Sequence, residues 1–531
     1  MSGAMVHQNI LPVSSGGMAT ESTSLLSRSD VPATIVSDCA EPGDTELGHA
    51  DSALGADNSF AEYDSTRTAE IVKQEAGILV KSSIPVAFAC LIQYTFSFVN
   101  ILSLGHLGSN ELVAAALGNM TVYMIVSAPA IGLATALDTF CSTAFTGSRD
   151  RTLVGFHLQR GIIAVTLHFA LVLPVLIYIE PIFIFLRQDA NTSYQCSRFI
   201  RAQLPGLLPW MCFECIKCFL QAQGYMRAGT CVLITTLPLH LANTYIFVWS
   251  STFGFGFLGT AVTNVVTYWA MFIGIIVYCW RTDARESWGG WTRRSFTTMP
   301  QYYRIAIPSV VMACSDWIAW ELLAIAASYL GNVTLAAQAI AINTCPLTYQ
   351  GASGIRTAVS NRTGNLLGQA RARRAEISSA TGLSLSAIWG VMTSVVYFIV
   401  AGWWGSVYTS DPDVIAGVAL IMPICGIFEL ADSISCVGGG VLRSFGRQAD
   451  SARIISVSYY IVGLPLGLYL TYGWPELGVI GLWIGLTIGV FITDIRQTAV
   501  CLRANYADEV KKCLAQVNRS QRAAAYDGTS Q

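Results

Sequence analysis

The chain has 531 residues, of which 53% are hydrophobic and 12% are charged, and its formal net charge at pH 7 is −2. Soluble domains carry about 25% charged residues, so the composition excludes an ordinary soluble globular protein. We expect an integral membrane protein in contact with the lipid bilayer.

The first 80 residues differ from the rest, with 12 acidic against three basic residues and few aromatic ones. This composition predicts a disordered, acidic cytoplasmic tail over residues 1–80. It contains no apolar run after a basic start, so we expect no cleaved signal peptide. Glu21-Ser-Thr-Ser-Leu25-Leu26 has the acidic dileucine form read by sorting adaptors. Because such motifs also match by chance, a vacuolar or endosomal membrane and the plasma membrane both remain open.

Long apolar segments follow, and residues 228–280, 322–355 and 377–410 contain no Asp, Glu, Lys or Arg. Each exceeds the roughly 20 residues that span a bilayer, and in lipid only helices or closed barrels satisfy the backbone. The apolar runs are continuous rather than alternating, which indicates helices. Cutting the sequence at charges and at Gly and Pro predicts an all-α protein with twelve transmembrane helices, near residues 84–104, 112–145, 161–179, 204–220, 230–253, 257–280, 305–330, 336–355, 377–404, 414–442, 454–473 and 477–493.

Loop charge predicts the orientation, because Lys and Arg of short loops stay in the cytoplasm. With the amino terminus inside, the cytoplasmic loops between these spans hold 17 Arg and the opposite loops hold three. We therefore expect both termini in the cytoplasm.

The two halves of the chain share glycine spacing. Gly108, Gly147 and Gly224 in the first half correspond to Gly331, Gly368 and Gly446 in the second. The repeat predicts two six-helix lobes, at residues 81–285 and 286–503, related by a pseudo-twofold axis along the membrane normal, with a cytoplasmic tail at 504–531. A cleft between such lobes is the expected substrate site.

Several motifs also resemble the eukaryotic branch of the multidrug and toxic compound extrusion (MATE) family. They are Gly105-His-Leu-Gly108, Gly132-Leu-Ala-Thr-Ala-Leu-Asp138, Leu158-Gln-Arg160, Ser360-Asn-Arg-Thr-Gly-Asn365 and Gly439-Gly-Val-Leu-Arg443. The resemblance runs from about residue 80 to 500. It implies alternating access and export of organic, mostly cationic compounds and xenobiotics against an inward flow of protons or sodium ions.

Ionisable residues inside spans are costly and need an explanation. Glu214 and Lys217 are three residues apart on one predicted helix, so they are neighbours on one face and we interpret them as a structural pair. Asp138 is expected near the cytoplasmic end of its span, where Arg362 of the other half is a candidate partner. We interpret these two as gating or structural charges.

Asp316 and Glu321 in the seventh span are the first pair of candidate proton or cation sites. Five residues separate them, so they cannot share a helix face; one is expected in the cleft and the other against a neighbouring helix. Trp317 and Trp320 beside them suit flat cations. The family has Glu where this chain has Asp316.

Glu429 and Asp432 in the tenth span are the second pair, and they do share a face. Two close carboxylates disfavour joint ionisation, so one is expected to hold a proton near neutral pH. Asp432 matches an acidic position of the family, whereas a solvated Glu at a helix end is the alternative for Glu429. Gln338, Asn343 and Tyr349 match polar positions that line the second lobe, although each also has the chemistry for a bond between helices.

These features predict a proton-coupled exporter of small organic cations that acts as a monomer, without cofactor, metal or nucleic acid. A sodium-coupled exporter and a flippase for lipid-linked precursors remain alternatives. A flippase needs basic residues for phosphate, yet the predicted lining is acidic apart from the paired Lys217.

The sequence shows no metalloprotease motif or Gly-rich phosphate loop and no loop long enough for a nucleotide-binding domain, so neither an enzyme nor a primary pump is expected. A passive receptor or channel also remains open.

Overall fold

The computed structural model describes residues 68–250, 252 and 254–525, apart from the side chains of residues 109 and 110. The dileucine sequence and the predicted tail up to residue 67 lie outside the described residues. Every regular element in the described part is helical.

The first lobe contains six long helices. They are α1 (Thr68–Leu107), α2 (Ser109–Val122, a π-helical turn at Tyr123–Ser127, then Ala128–Gly147), α3 (Thr152–Ile177), α4 (Ala190–Ala222), α5 (Ala228–Trp249) and α6 (Phe257–Trp280). A short helix, Ile179–Phe185, lies between α3 and α4.

The second lobe repeats this order. Its helices are α7 (Met299–Ser328), α8 (Asn332–Gly368), α9 (Ala372–Val400), α10 (Pro412–Ser444), α11 (Gln448–Tyr472) and α12 (Val479–Leu502), and α13 (Tyr506–Ala525) follows them. Within the described residues, ten of the twelve long helices contain a segment that is long and apolar enough to cross a membrane. The other two, α4 and α8, contain more polar and charged residues. The twelve predicted helices in two lobes are confirmed.

Several helices extend beyond the predicted spans, because those spans were cut at charged residues. Helix α8 continues from the predicted end at residue 355 to Gly368. Helix α1 begins at Thr68, so residues 68–80, which the sequence placed in a disordered tail, are helical and that boundary was wrong. Glu75, the buried charged residue of this extension, has ion-pair partners, described below, which allows the helix to continue.

The shared glycines have a structural reason. Gly224 and Gly446, which follow α4 and α10, have φ angles of +91° and +73°, a backbone conformation that glycine adopts without steric cost. Gly147 and Gly368 end α2 and α8 and contact each other: a Cβ on Gly147 would lie 3.2 Å from the Gly368 carbonyl oxygen. Equivalent residues that touch must lie beside the approximate twofold axis.

Close contacts between the lobes occur at the same end of the bundle. Thr139 Oγ1 on α2 donates to the Arg443 carbonyl on α10 at 2.6 Å. Thr146 Oγ1 donates to the Asn365 carbonyl at 2.8 Å, and the Asn365 amide donates to the Ala222 carbonyl at 3.2 Å. These bonds hold the lobes together where α2, α4, α8 and α10 end.

Helix α13 lies across both lobes at this end. Tyr506 and Val510 pack with Leu366 on the second lobe, whereas Val517 belongs to the hydrophobic core of the first. Gln521 Nε2 donates to Ser148 Oγ, just after α2, at 2.7 Å.

Candidate functional site

Asp316 on α7 and Asp432 on α10 are near enough to interact electrostatically, and the neighbour of Asp316, Trp317, contacts the first lobe. Both aspartates are half-buried, and they interact electrostatically with each other and with Arg356 on α8. Neither carboxylate forms an ion pair closer than 4 Å with any described residue. The carboxylates therefore lie near a positive charge without being neutralised by direct contact.

Arg356 is held by neutral oxygens. Its Nη1 donates to the Tyr349 hydroxyl at 3.2 Å and its Nη2 to Ser353 Oγ at 2.8 Å, both on the same helix. Tyr349 also accepts from Cys436 Sγ at 3.4 Å. Helical side chains lean towards the helix amino terminus. The Arg356 guanidinium is therefore directed away from the carboxyl end of α8 and towards Asp316 and Asp432.

Glu429 lies one turn before Asp432 and is 1% exposed, so the alternative of a solvated helix-end Glu was wrong. Position 429 lies inside α10, where the helix is covered by α9 and α8. Neither carboxylate oxygen has a well-formed hydrogen bond within the described residues. Thr348 Oγ1, which interacts with Glu429, is also bonded to the Tyr397 hydroxyl at 3.0 Å.

Glu321 does not join this group. It is half-buried on α7, and no hydrogen bond or ion pair to its side chain is present among the described residues. Asp316 and Glu321 face different sides of α7, as their spacing predicts.

The three predicted polar residues occupy different places. Gln338 is 0% exposed and accepts from Trp483 Nε1 at 2.6 Å, which ties α8 to α12 inside the second lobe. Asn343 is exposed, and its backbone carbonyl accepts from the Tyr94 hydroxyl on α1 at 2.9 Å. Only Tyr349 directly contacts the side chains around Asp432.

The two tryptophans of α7 also separate. Trp317 lies against Tyr123 of the π-helical turn in α2, with ring centroids 4.3 Å apart, so this aromatic pair joins the two lobes. Trp320 packs edge-on against Phe428 and Trp483 inside the second lobe. Trp317 is thus the aromatic residue that borders the inter-lobe boundary.

The proposed Asp138–Arg362 pair was wrong. Asp138 Oδ2 lies 3.5 Å from Arg443 Nη1 on α10. Arg362 instead binds Glu75, with Nε and Nη2 donating at 2.8 and 2.6 Å. Arg374 Nε on α9 donates to the same carboxylate at 2.7 Å. The reason is the extension of α1, which brings Glu75 to α8 and α9.

Glu214 and Lys217 form the predicted ion pair on α4, with Nζ 2.5 Å from Oε2. Gln93 Nε2 on α1 donates to Glu214 Oε1 at 2.9 Å. The Lys217 ammonium also lies 5.6 Å from the Phe213 ring centroid. Both charges are therefore satisfied inside the first lobe.

The sequence does not identify Arg356, Arg443 and Glu75 as partners in the bundle, because each lies just outside a predicted span. The expected acidic lining therefore needs correction, since Arg356 adds an unpaired guanidinium. A signal was present: Arg356 follows a long uncharged segment, and no Pro interrupts residues 357–368.

Comparison with known proteins places the chain among transporters. The family model MatE matches residues 85–246 and again 308–469, an offset of 223 residues that also separates Gly108 from Gly331. An uncharacterized transporter of Schizosaccharomyces pombe is 35% identical over 436 residues, covering 82% of this chain and 80% of the relative. Multidrug and toxin extrusion protein 1 of Mus musculus is 31% identical over 408 residues, covering 76% and 71%. The crystal structure of the eukaryotic MATE transporter AtDTX14 matches in fold, with a TM-score of 0.78 and 23% identity over 85% of this chain and 100% of that one.

Proposed function

The chain belongs to the MatE family of multidrug and toxin extrusion transporters, and we propose that it exports organic cations by exchange for protons. The observation that supports this most directly is that Asp316 and Asp432, both half-buried, interact electrostatically while neither forms an ion pair with a described residue. Two half-buried carboxylates that share one site are able to bind either protons or a cation.

Competition for these carboxylates provides the exchange. When the cleft faces the cytoplasm, ionised Asp316 and Asp432 attract the organic cation, which Trp317 contacts through its ring face. When the cleft faces a more acidic compartment, protons occupy the carboxylates and the cation leaves. One pH unit across the membrane contributes about 1.4 kcal/mol per proton.

Glu429 is proposed as a second proton site, next to Asp432 and away from the substrate. A buried carboxylate without partners is much less costly as the neutral acid. Its two oxygens lack hydrogen bonds within the described part of α8–α10. A proton on Glu429 therefore keeps the charge at Asp432 available for the cation.

The test is transport into vesicles that contain the purified protein and carry an imposed pH gradient. The wild type should accumulate an organic cation on the acidic side, whereas Asp316→Asn and Asp432→Asn should each reduce accumulation to background. Because amide and acid are nearly isosteric, both variants should remain folded. Asp413→Asn is the matched control, since Asp413 is exposed in the first turn of α10 and should transport as the wild type does.

The same vesicles separate protons from sodium. A sodium gradient at equal pH should not drive accumulation. Accumulation driven by sodium alone would replace proton coupling with the sodium-coupled alternative, and unchanged transport by Asp432→Asn would remove this carboxylate from the exchange.

We further propose that both termini lie in the cytoplasm and that the protein functions as a monomer. The loop arginines support this orientation. It places on the cytoplasmic side the end of the bundle where α2 and α8 end and where α13 lies. Epitope tags at either terminus should become accessible to antibodies once the plasma membrane alone is permeabilised, with every internal membrane left intact.

A further inference from the structure

Arg356 has more hydrogen-bonding capacity than the protein uses. A guanidinium has five N–H donors, and two of them are used, by Tyr349 and Ser353. Arg356 Nε has no partner among the described residues. Arginine is the side chain best shaped for two parallel hydrogen bonds to a carboxylate, yet within the described residues Arg356 donates only to neutral hydroxyls.

The position of Arg356 is fixed by packing. A Cβ on Gly440 of α10 would lie 2.8 Å from Arg356 Cγ and 3.0 Å from the Arg356 carbonyl oxygen. Gly440 therefore provides the space through which the aliphatic part of Arg356 passes. The guanidinium is held in place without any anion.

Charged groups of both lobes interact electrostatically with this guanidinium. Asp316 and Asp432 interact with it from the second lobe, and Asp138 from the first, where Arg443 already pairs with Asp138. When Asp316 and Asp432 are both ionised, they and Arg356 together carry one negative charge. A substrate with only negative charge is repelled by this group, whereas a substrate with separate positive and negative groups matches it.

We propose that Arg356 makes the cleft a binding site for zwitterions: the carboxylate of a substrate binds the Arg356 guanidinium while its cationic group binds Asp316 and Asp432. This inference rests on the proposed function, because it takes the same two carboxylates as the cation site. Arg356 then determines specificity, since a simple cation gains nothing from it.

A matched pair of dyes tests the proposal. The methyl ester of a rhodamine is a monocation, and the free acid of the same dye is a zwitterion at neutral pH. Binding is measured by fluorescence anisotropy with the purified full chain in detergent, without any gradient. We expect the wild type to bind the free acid at least as tightly as the ester.

The variant Arg356→Gln should weaken binding of the free acid about tenfold or more, as expected for loss of a hydrogen bond between charged groups. Binding of the ester should be unchanged or tighter, because a competing cation is removed. Arg356→Lys should give an intermediate loss, since an ammonium lacks the planar fork. Arg453→Gln is the control, because the Arg453 side chain is 78% exposed at the start of α11.

Equal weakening of both dyes by Arg356→Gln overturns the proposal and makes Arg356 a structural residue. A wild type that binds the ester more than tenfold more tightly than the free acid also overturns it, whether or not the variants fold. Proton-driven uptake of the ester tests the proposed function separately. If the ester is not taken up but the wild type still binds the free acid at least as tightly as the ester, only the proton coupling is contradicted.

Discussion

The Glu214–Lys217 pair shows how single charges are accommodated in this bundle. Neither side chain is more than 13% exposed, and the carboxylate also accepts from Gln93. Such a pair costs desolvation energy, yet removal of one partner leaves a buried charge without compensation. The pair is therefore expected to matter for stability before transport.

Glu214→Gln should lower the free energy of unfolding by about 3–5 kcal/mol, because it leaves the Lys217 ammonium unpaired. Thermal unfolding of the purified protein measures this. The double variant Glu214→Gln/Lys217→Met should recover most of the loss, since both charges are gone. A Glu214→Gln protein that unfolds like the wild type but does not transport would place Glu214 in the proton path.

Residue spacing explains which contacts were predictable. Glu214 and Lys217 are three apart, so helix geometry alone brings them together. The partner of Asp138 is Arg443, more than 300 positions later in the sequence, and only the packing of α2 against α10 defines it. Arg362 was a reasonable candidate by charge, but Glu75 is closer in the folded chain.

At the scale of elements, the extension of α1 acts as a link between the lobes. Glu75 belongs to the first lobe, and it binds Arg362 and Arg374 of the second. Its carboxylate is fully buried. Because each hydrogen bond joins two charged groups, this cluster is stronger than an exposed ion pair.

Glu75→Gln should therefore loosen residues 68–80. Hydrogen exchange measured by mass spectrometry should show about tenfold or faster exchange in this segment, as expected from losing about 1.5–3 kcal/mol. Glu70→Gln is the control, because Glu70 is exposed one turn earlier. Equal protection in both variants would mean that apolar contacts such as those of Leu79, rather than the ion pairs, hold the extension.

Helix α13 is the second link. Its buried side follows helical spacing through Tyr506, Val510, Cys513 and Val517, and the helix contacts both lobes. Val517→Asp should release the second half, because a charge would enter the core of the first lobe. Hydrogen exchange of residues 517–525 should become faster in Val517→Asp. Asn518→Asp, on the exposed side of the helix, is the control and should exchange as the wild type does. If Val517→Asp is protected as well as the wild type, the contact of Val517 with the first lobe is contradicted.

At the scale of the whole molecule, the number and order of helices were predictable, whereas the inter-lobe contacts were not. Continuous apolar runs define the spans because lipid admits no other structure, and the repeated glycines define the two halves. Glu75 and Arg443 lie on helix extensions that their ion-pair partners in other helices explain, whereas the hydrogen-bond partners of Arg356 lie on α8 itself. A single sequence contains no measure of those long-range contacts.

Alternating access requires the lobes to change contacts at the end where α13 lies. Ser148 and Gln521 are hydrogen-bonded there at 2.7 Å, so cysteines at both positions should be joined by a short, thiol-cleavable cross-linker. If the lobes rotate and α13 must leave the first lobe, the cross-linked Ser148→Cys/Gln521→Cys protein should stop transporting and recover after reduction. Each single variant, treated identically, controls for reaction of the native cysteines and should retain its transport. Full transport by the cross-linked protein would show that α13 moves with the first lobe, and that the rotation occurs instead at its contacts with Leu366 and Leu367 on α8.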